Sequence, residues 1–83
     1  MSVVVAKFGG TSVANPERIR SVAQRIVSRK RAGDSVVAVV SAMGKTTDDL
    51  VALASSISDS PDPREMDTLL STGEMVSMSL LAM

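Results

Sequence analysis

The residues best suited to chemistry lie in the run from Lys7 to Ser12, which follows an apolar segment. Gly9 and Gly10 have no Cβ, so their backbone can approach a ligand closely and adopt a positive φ. Successive amides in such a turn can form an anion-binding concavity, and Thr11 and Ser12 add hydroxyl donors. Lys7 needs a partner anion or a water-filled cleft, which a phosphoryl group in transfer would provide. The run predicts a phosphate-holding loop, and a plain glycine turn with a lysine reaching solvent is the alternative.

A second polar loop, Ser41–Thr47, follows another apolar segment and contains Gly44-Lys-Thr. A Walker A loop needs a glycine five residues before Gly44, where this chain has Val39, so the spacing excludes that motif. The sequence has no GxGxxG string, so the dinucleotide fingerprint is absent as well. With its hydroxyls, its lysine and the following pair Asp48-Asp49, the loop suits a small charged substrate. An ordinary strand-to-helix connection is the alternative.

A third block, Ser71-Thr-Gly-Glu74, has the spacing of a capping box and predicts the start of a helix. The alternative is a site, in which Glu74 binds the ammonium group of a substrate. The six methionines are interpreted as fillers of gaps in the core rather than as metal ligands.

The elements that must position these loops form a strand–helix–strand unit. Ser2–Phe8 and Ser35–Val40 are predicted strands, apolar on both faces. Between them, Asn15-Pro-Glu predicts a helix start and Gly33 a left-handed helix end. Such a βαβ unit places its strands in parallel, so both polar loops follow the carboxyl ends of neighbouring strands, where α/β sheets bind ligands.

The second half of the chain is predicted to be helical. Thr47 or Asp48 caps one helix, a polar linker spans residues 58–63, and Pro63 opens a short helix that ends at Leu70. A separate apolar helix covers Met75 to Met83. Two parallel strands buried on both faces need neighbours that these residues do not supply. The sequence therefore predicts that residues 1–83 are the first part of a larger α/β domain.

Composition narrows the function. With no cysteine and no histidine, disulfides and thiolate or imidazole chemistry are excluded. Cations dominate from Glu17 to Arg31 and acids from Asp48 to Glu74, which is typical of two solvated helix faces. Nucleic-acid binding is not expected, because Phe8 is the only aromatic residue on which bases could stack. No apolar run reaches the length of a membrane span, and we expect a cytoplasmic protein.

Three strings resemble the aspartate kinases. Val5-Ala-Lys-Phe-Gly-Gly-Thr-Ser-Val13 is similar to their N-terminal signature, and Val40-Ser-Ala-Met-Gly-Lys-Thr-Thr-Asp48 to their second loop. Glu65-Met-Asp-Thr-Leu-Leu-Ser-Thr-Gly-Glu74 resembles their third block. The order and spacing also fit, and the resemblance covers essentially the whole chain. It implies a three-layer amino-acid kinase domain with a parallel sheet, of which residues 1–83 are the N-terminal portion.

The resemblance implies transfer of the ATP γ-phosphoryl group, with Mg²⁺, to the side-chain carboxylate of L-aspartate. The product, 4-phospho-L-aspartate, leads to lysine, threonine and methionine. Family roles, position by position, make Lys7 catalytic through charge on the transferring group. They assign ATP binding to Lys7, Phe8, Gly9, Gly10 and Ser41, and aspartate binding to Thr47 and Glu74.

The family also implies parts that lie outside these residues. They are the nucleotide-base pocket, further catalytic residues and regulatory ACT domains, with which the kinase forms an oligomer. We therefore expect the isolated 83-residue piece to be inactive. The alternatives are a non-catalytic fragment that needs the rest of the enzyme, and a kinase for another small amino acid such as glutamate.

Overall fold

The computed structural model describes residues 2–83 as an α/β unit built on a two-stranded parallel sheet. Strand β1 spans Val3–Phe8 and strand β2 spans Ser35–Val40. The register pairs Val3 with Ser35 at one end and Phe8 with Val40 at the other. The predicted βαβ start of an α/β domain is confirmed.

Helix α1, Pro16–Arg31, connects the two strands, and its ends follow the sequence signals. The Asn15 Oδ1 accepts a hydrogen bond of 2.9 Å from the amide of Arg18, which satisfies a free donor of the first turn. After the helix, Gly33 has a φ of 105°, a conformation that glycine adopts without steric cost. Both predicted ends of α1 are confirmed.

The core lies between α1 and one face of the sheet. Phe8 and Val13 are buried against Ile19 and Val22 of α1. The opposite face is open, with Val3 and Val5 exposed by 74% and 68%. Helix α1 covers a single face and nothing among the described residues covers these valines, which agrees with the expectation that strands buried on both faces need neighbours that these residues do not supply.

Helix α2 spans Thr46–Ile57 and begins earlier than predicted. Its N-cap residue is Lys45, with no side-chain capping bond, so neither Thr47 nor Asp48 caps it. The backbone sets this start, because the Thr46 amide donates to the Met43 carbonyl at 2.9 Å and closes the preceding turn.

Helix α3 is one continuous element, Pro63–Ala82, where the sequence predicts two helices. It begins at Pro63 as expected, with the Asp62 carboxylate accepting from the Glu65 amide at 3.1 Å. The predicted end at Leu70 and the capping box at Ser71 are wrong. The Ser71 hydroxyl instead donates to the Thr68 carbonyl at 2.7 Å. The helix interior tolerates Gly73, at a cost of about 1 kcal/mol.

Candidate functional site

The first loop is a tight turn at the end of β1. Gly9 continues the extended backbone, and the segment Gly10–Val13 forms a 3₁₀ helix. The Ser12 amide donates to the Gly9 carbonyl at 3.0 Å and closes the turn. Gly9 and Gly10 do not use the positive φ that glycine allows, because Gly33 and Gly44 are the positive-φ glycines of residues 2–83.

Gly10 is required for a different reason, the contact between the two loops. A Cβ built on Gly10 would lie 2.9 Å from the Ala42 carbonyl oxygen and 3.2 Å from that of Gly44. The Gly44 amide also donates to the Gly10 carbonyl at 3.0 Å. Ser41 is tied to the end of β1, since its amide donates to the Phe8 carbonyl at 3.1 Å. The predicted juxtaposition of the two loops is confirmed.

Lys7 lies one residue before the end of β1 and pairs in register with Val39 of β2. Because side chains alternate along a strand, Lys7 shares the open face of the sheet with Val3 and Val5. The residue is exposed, so its ammonium group has access to water or to a ligand rather than to the core. A lysine among apolar strand residues needs a partner anion or water, and this exposed position gives access to either.

Glu74 approaches the same edge of the sheet from α3. With Val39, Val40 and Met78 it helps to line a shallow groove of about 300 Å³. Glu74 and the pairing partner of Lys7 therefore border one groove. Thr47, the last residue of the predicted second loop, is exposed in the first turn of α2. The structure thus brings Lys7, the first loop and Ser41 together at the carboxyl ends of β1 and β2. Glu74 lines a groove beside Val39 that includes neither Lys7 nor Thr47.

Two arginines of α1 support the first loop, and the sequence interpretation missed both. The Arg18 guanidinium donates to the Thr11 carbonyl at 3.2 Å. The Arg25 guanidinium lies 5.8 Å from the centre of the Phe8 ring, within the range of a cation–π contact. The sequence alone indicates only a solvated face for the basic stretch. The spacing of seven from Arg18 to Arg25, two helical turns on one face, is the signal that indicates a shared role.

Two small residues that the sequence interpretation left unused, Ala42 and Gly73, hold the second loop against α3. Ala42 is 4% exposed, and a Cβ on Gly73 would lie 3.1 Å from the Ala42 Cβ. The spacing of four between Gly73 and Ser77 is the available signal, since small residues one turn apart permit close helix packing. The capping-box interpretation obscured it.

The described part of the chain limits two other kinds of site. Residues 2–83 contain no converging group of three or more His, Cys, Asp or Glu side chains that could hold a metal ion. Within the same residues, no helix has the length and apolarity needed to cross a bilayer.

Residues 2–83 match the model of the amino acid kinase family. The match extends over nearly the whole chain, and the parallel βαβ unit with two loops at its carboxyl end agrees with it. The chain belongs to the amino acid kinase family.

Within that family the similarity is to aspartokinases. The chain is 61% identical over all 83 residues to an aspartokinase of Mycolicibacterium smegmatis and 61% identical to one of Geobacillus stearothermophilus. It superimposes on the crystal structure of aspartate kinase from Synechocystis with a TM-score of 0.94 and 60% identity, over 99% of this chain and 14% of that one. The α/β architecture therefore matches the start of the aspartate kinase fold. The chain spans 20% of the length of the two aspartokinases named first.

Proposed function

We propose that this chain is the N-terminal portion of the catalytic domain of an ATP-dependent aspartate kinase. The observation that carries the proposal is the meeting of the two loops, fixed by the Gly44–Gly10 hydrogen bond of 3.0 Å. The loop that we propose for phosphate thus lies beside the loop that we propose for a small charged acceptor. The similarity to aspartokinases over the whole chain supports aspartate as that acceptor.

In this proposal Lys7 stabilises the negative charge that spreads over the oxygens of the transferring phosphoryl group. Its position on the open sheet face leaves the ammonium accessible to a ligand. Phe8, Gly9 and Gly10 provide backbone around the ATP phosphates, and Ser41 lies near them, one hydrogen bond from the end of β1.

Thr47 and Glu74 receive the acceptor amino acid. Glu74 binds its ammonium group as an ion pair, from a groove that borders the pairing partner of Lys7. Thr47 donates or accepts through its hydroxyl at the exposed start of α2. The aspartate side-chain carboxylate then attacks the γ-phosphorus, ADP leaves, and 4-phospho-L-aspartate forms. This product is the precursor that we propose for lysine, threonine and methionine synthesis.

We propose that Mg²⁺ arrives as the ATP complex. The described residues offer no acidic cluster for an ion of their own, and Mg²⁺ in phosphoryl-transfer sites is held largely by substrate phosphates. The nucleotide-base pocket, the ACT regulatory domains and the oligomer contacts belong to sequence beyond these 83 residues, as does the remainder of the cleft. A cytoplasmic location stays a prediction.

The test is a chimera in which residues 1–83 replace the matching segment of the Mycolicibacterium smegmatis aspartokinase. We expect ATP-dependent formation of an acyl phosphate from aspartate, trapped as the hydroxamate. Lys7→Ala should lower kcat more than tenfold, equivalent to about 1.4 kcal/mol of transition-state stabilisation. Lys30→Ala, on the exposed last turn of α1, is the matched control. An inactive chimera, or unchanged turnover after Lys7→Ala, contradicts the proposal. Glutamate turned over faster than aspartate would favour a kinase for another amino acid.

A second candidate function is a non-catalytic piece that must associate with the rest of a kinase. The open sheet face favours it, since Val3 and Val5 are largely exposed. The chain is also extended, with a radius of gyration of 15.3 Å against about 12 Å for a compact domain of this length. Circular dichroism and size-exclusion chromatography of the 83-residue chain test this second candidate function. A cooperative melt of a monomer that binds ATP contradicts the non-catalytic role.

A further inference from the structure

Ala42 of the second loop lies close to two glycines from two other elements, Gly10 of the first loop and Gly73 of α3. A Cβ on Gly10 would meet the Ala42 carbonyl oxygen at 2.9 Å. A Cβ on Gly73 would meet the Ala42 Cβ and the Thr46 Cγ2, each at 3.1 Å. The first loop and α3 therefore each contact the second loop at a glycine, where a larger residue would not fit without a shift.

The contact at Gly73 fixes α3 because the helix is buried at that point. Gly73 is buried and Ser77, one turn later, has no exposed surface. The Ser77 hydroxyl donates to the Gly73 carbonyl at 3.4 Å, so this face carries no polar group that needs a partner from another element. Leu81, another turn on, packs against the core cluster. The helix is thus seated along one stripe, and its distance from the second loop is set at Gly73.

Glu74 is the next residue of the same helix turn, and it is exposed at the groove beside Val39. A displacement of the helix at Gly73 therefore moves the Glu74 backbone by a similar amount. The other glycine, Gly10, holds the second loop against the first loop through an equally close backbone contact.

We infer that the stack Gly10–Ala42–Gly73 sets the distance between the phosphate loop and Glu74. Gly73 is in this view a positioning residue for the acceptor amino acid. The inference rests on the proposed function, since it assigns the role of Glu74 to a proposed aspartate site. A methyl group at position 73 pushes α3 outward by a few tenths of an ångström, because the atoms it meets belong to a buried alanine and to the start of α2.

The test uses the active chimera with the variant Gly73→Ala. We expect the KM for aspartate to rise about fivefold, with kcat and the KM for ATP within about twofold of wild type, because binding of the acceptor rather than the chemical step is disturbed. A general loss of stability does not produce this split. The helix propensity of alanine, which is higher than that of glycine, should stabilise α3 in this variant, so it cannot explain a raised KM.

A rescue variant separates positioning from other effects of the new methyl group. Ala42→Gly with Thr46→Ser removes the two carbon atoms that the methyl meets at 3.1 Å. Added to Gly73→Ala, this pair should return the KM for aspartate to within about twofold of the pair alone. If Gly73→Ala is insoluble, the KM for aspartate of the triple variant, compared with that of the pair alone, tests the inference.

Four results overturn the inference. In Gly73→Ala they are an unchanged KM for aspartate or a loss confined to kcat, and in the triple variant they are a KM that stays raised or an insoluble protein. Each leaves the proposed function intact, because that function is judged on the wild-type chimera. A wild-type chimera with no activity towards aspartate overturns the proposed function itself, and with it this inference.

Discussion

The carboxyl end of the sheet and the sheet face opposite α1 are built in contrasting ways. At the carboxyl end, the backbones of Gly10 and Ala42 are so close that a single added carbon would lie 2.9 Å from a carbonyl oxygen. On the open face, Val5 and Val37 are 68% and 50% exposed. The one region is packed within the chain, and the other has apolar side chains with no cover from the described residues.

The difference separates what this segment determines by itself from what it leaves to other sequence. The relative placement of the two loops depends on contacts that all lie within residues 8–46. The open face is apolar without being covered, and the relatives are about five times longer than this chain. Under the proposed function, the occupant of this face is the remaining polypeptide of the kinase. The loops are therefore expected to form the same contact with or without it.

Gly10→Ala tests the packed region and has the largest expected effect. The new methyl meets two backbone carbonyl oxygens, at 2.9 and 3.2 Å, and backbone cannot rotate away as a side chain does. We expect the free energy of unfolding to fall by about 3 kcal/mol, the upper end of the usual cost of overpacking. Urea unfolding followed by circular dichroism measures it.

Gly9→Ala is the matched control for that substitution. The two glycines are adjacent, Gly9 has a φ of −74°, and a Cβ there meets nothing within 4 Å. Its substitution should change the free energy of unfolding by less than about 1 kcal/mol, with a slight gain from a stiffer unfolded chain. Equal losses for both variants would show that loop flexibility, and not the contact with the second loop, governs stability here.

Asn15→Ala has a smaller expected effect at the same end of the molecule. It removes the 2.9 Å bond from the Arg18 amide and should lower the free energy of unfolding by about 1 kcal/mol. Asn15→Gly, which keeps a favourable backbone for an N-cap, should lower the free energy of unfolding by only a few tenths of about 1 kcal/mol. The measurement is the same urea titration, and an alanine variant as stable as wild type would mean that α1 is held by packing alone.

Local chemistry made the fold of the first half predictable. The strand–helix–strand order follows from β-branched runs and from caps at Asn15 and Gly33, which act within a few residues. The juxtaposition of the two loops follows from parallel pairing, and with it the neighbourhood of Lys7 and Ser41.

The helices in the second half of the chain were not predicted correctly, because tertiary contacts override local sequence signals there. Ser71-Thr-Gly-Glu74 has capping-box spacing, yet the helix continues through it, and Gly73 serves a contact with residues about thirty positions earlier. The need for glycine at position 10 could not be predicted for the same reason. The sequence allows Gly10 a φ of either sign, and it is the contact with the second loop that excludes a side chain there. No local pattern encodes the contact between Gly10 and Ala42.

The open face gives the smallest expected effect in the isolated chain. In the double variant Val5→Thr with Val37→Thr, each methyl-to-hydroxyl change places a polar group where water already reaches, since both positions are at least half exposed. We expect a change below about 0.5 kcal/mol in the 83-residue chain. If the rest of the kinase covers this face in the chimera, burying two hydroxyls without partners should cost at least about 2 kcal/mol. Equal small losses in both proteins would show that this face stays in water in the kinase, and would contradict the occupant assigned to it.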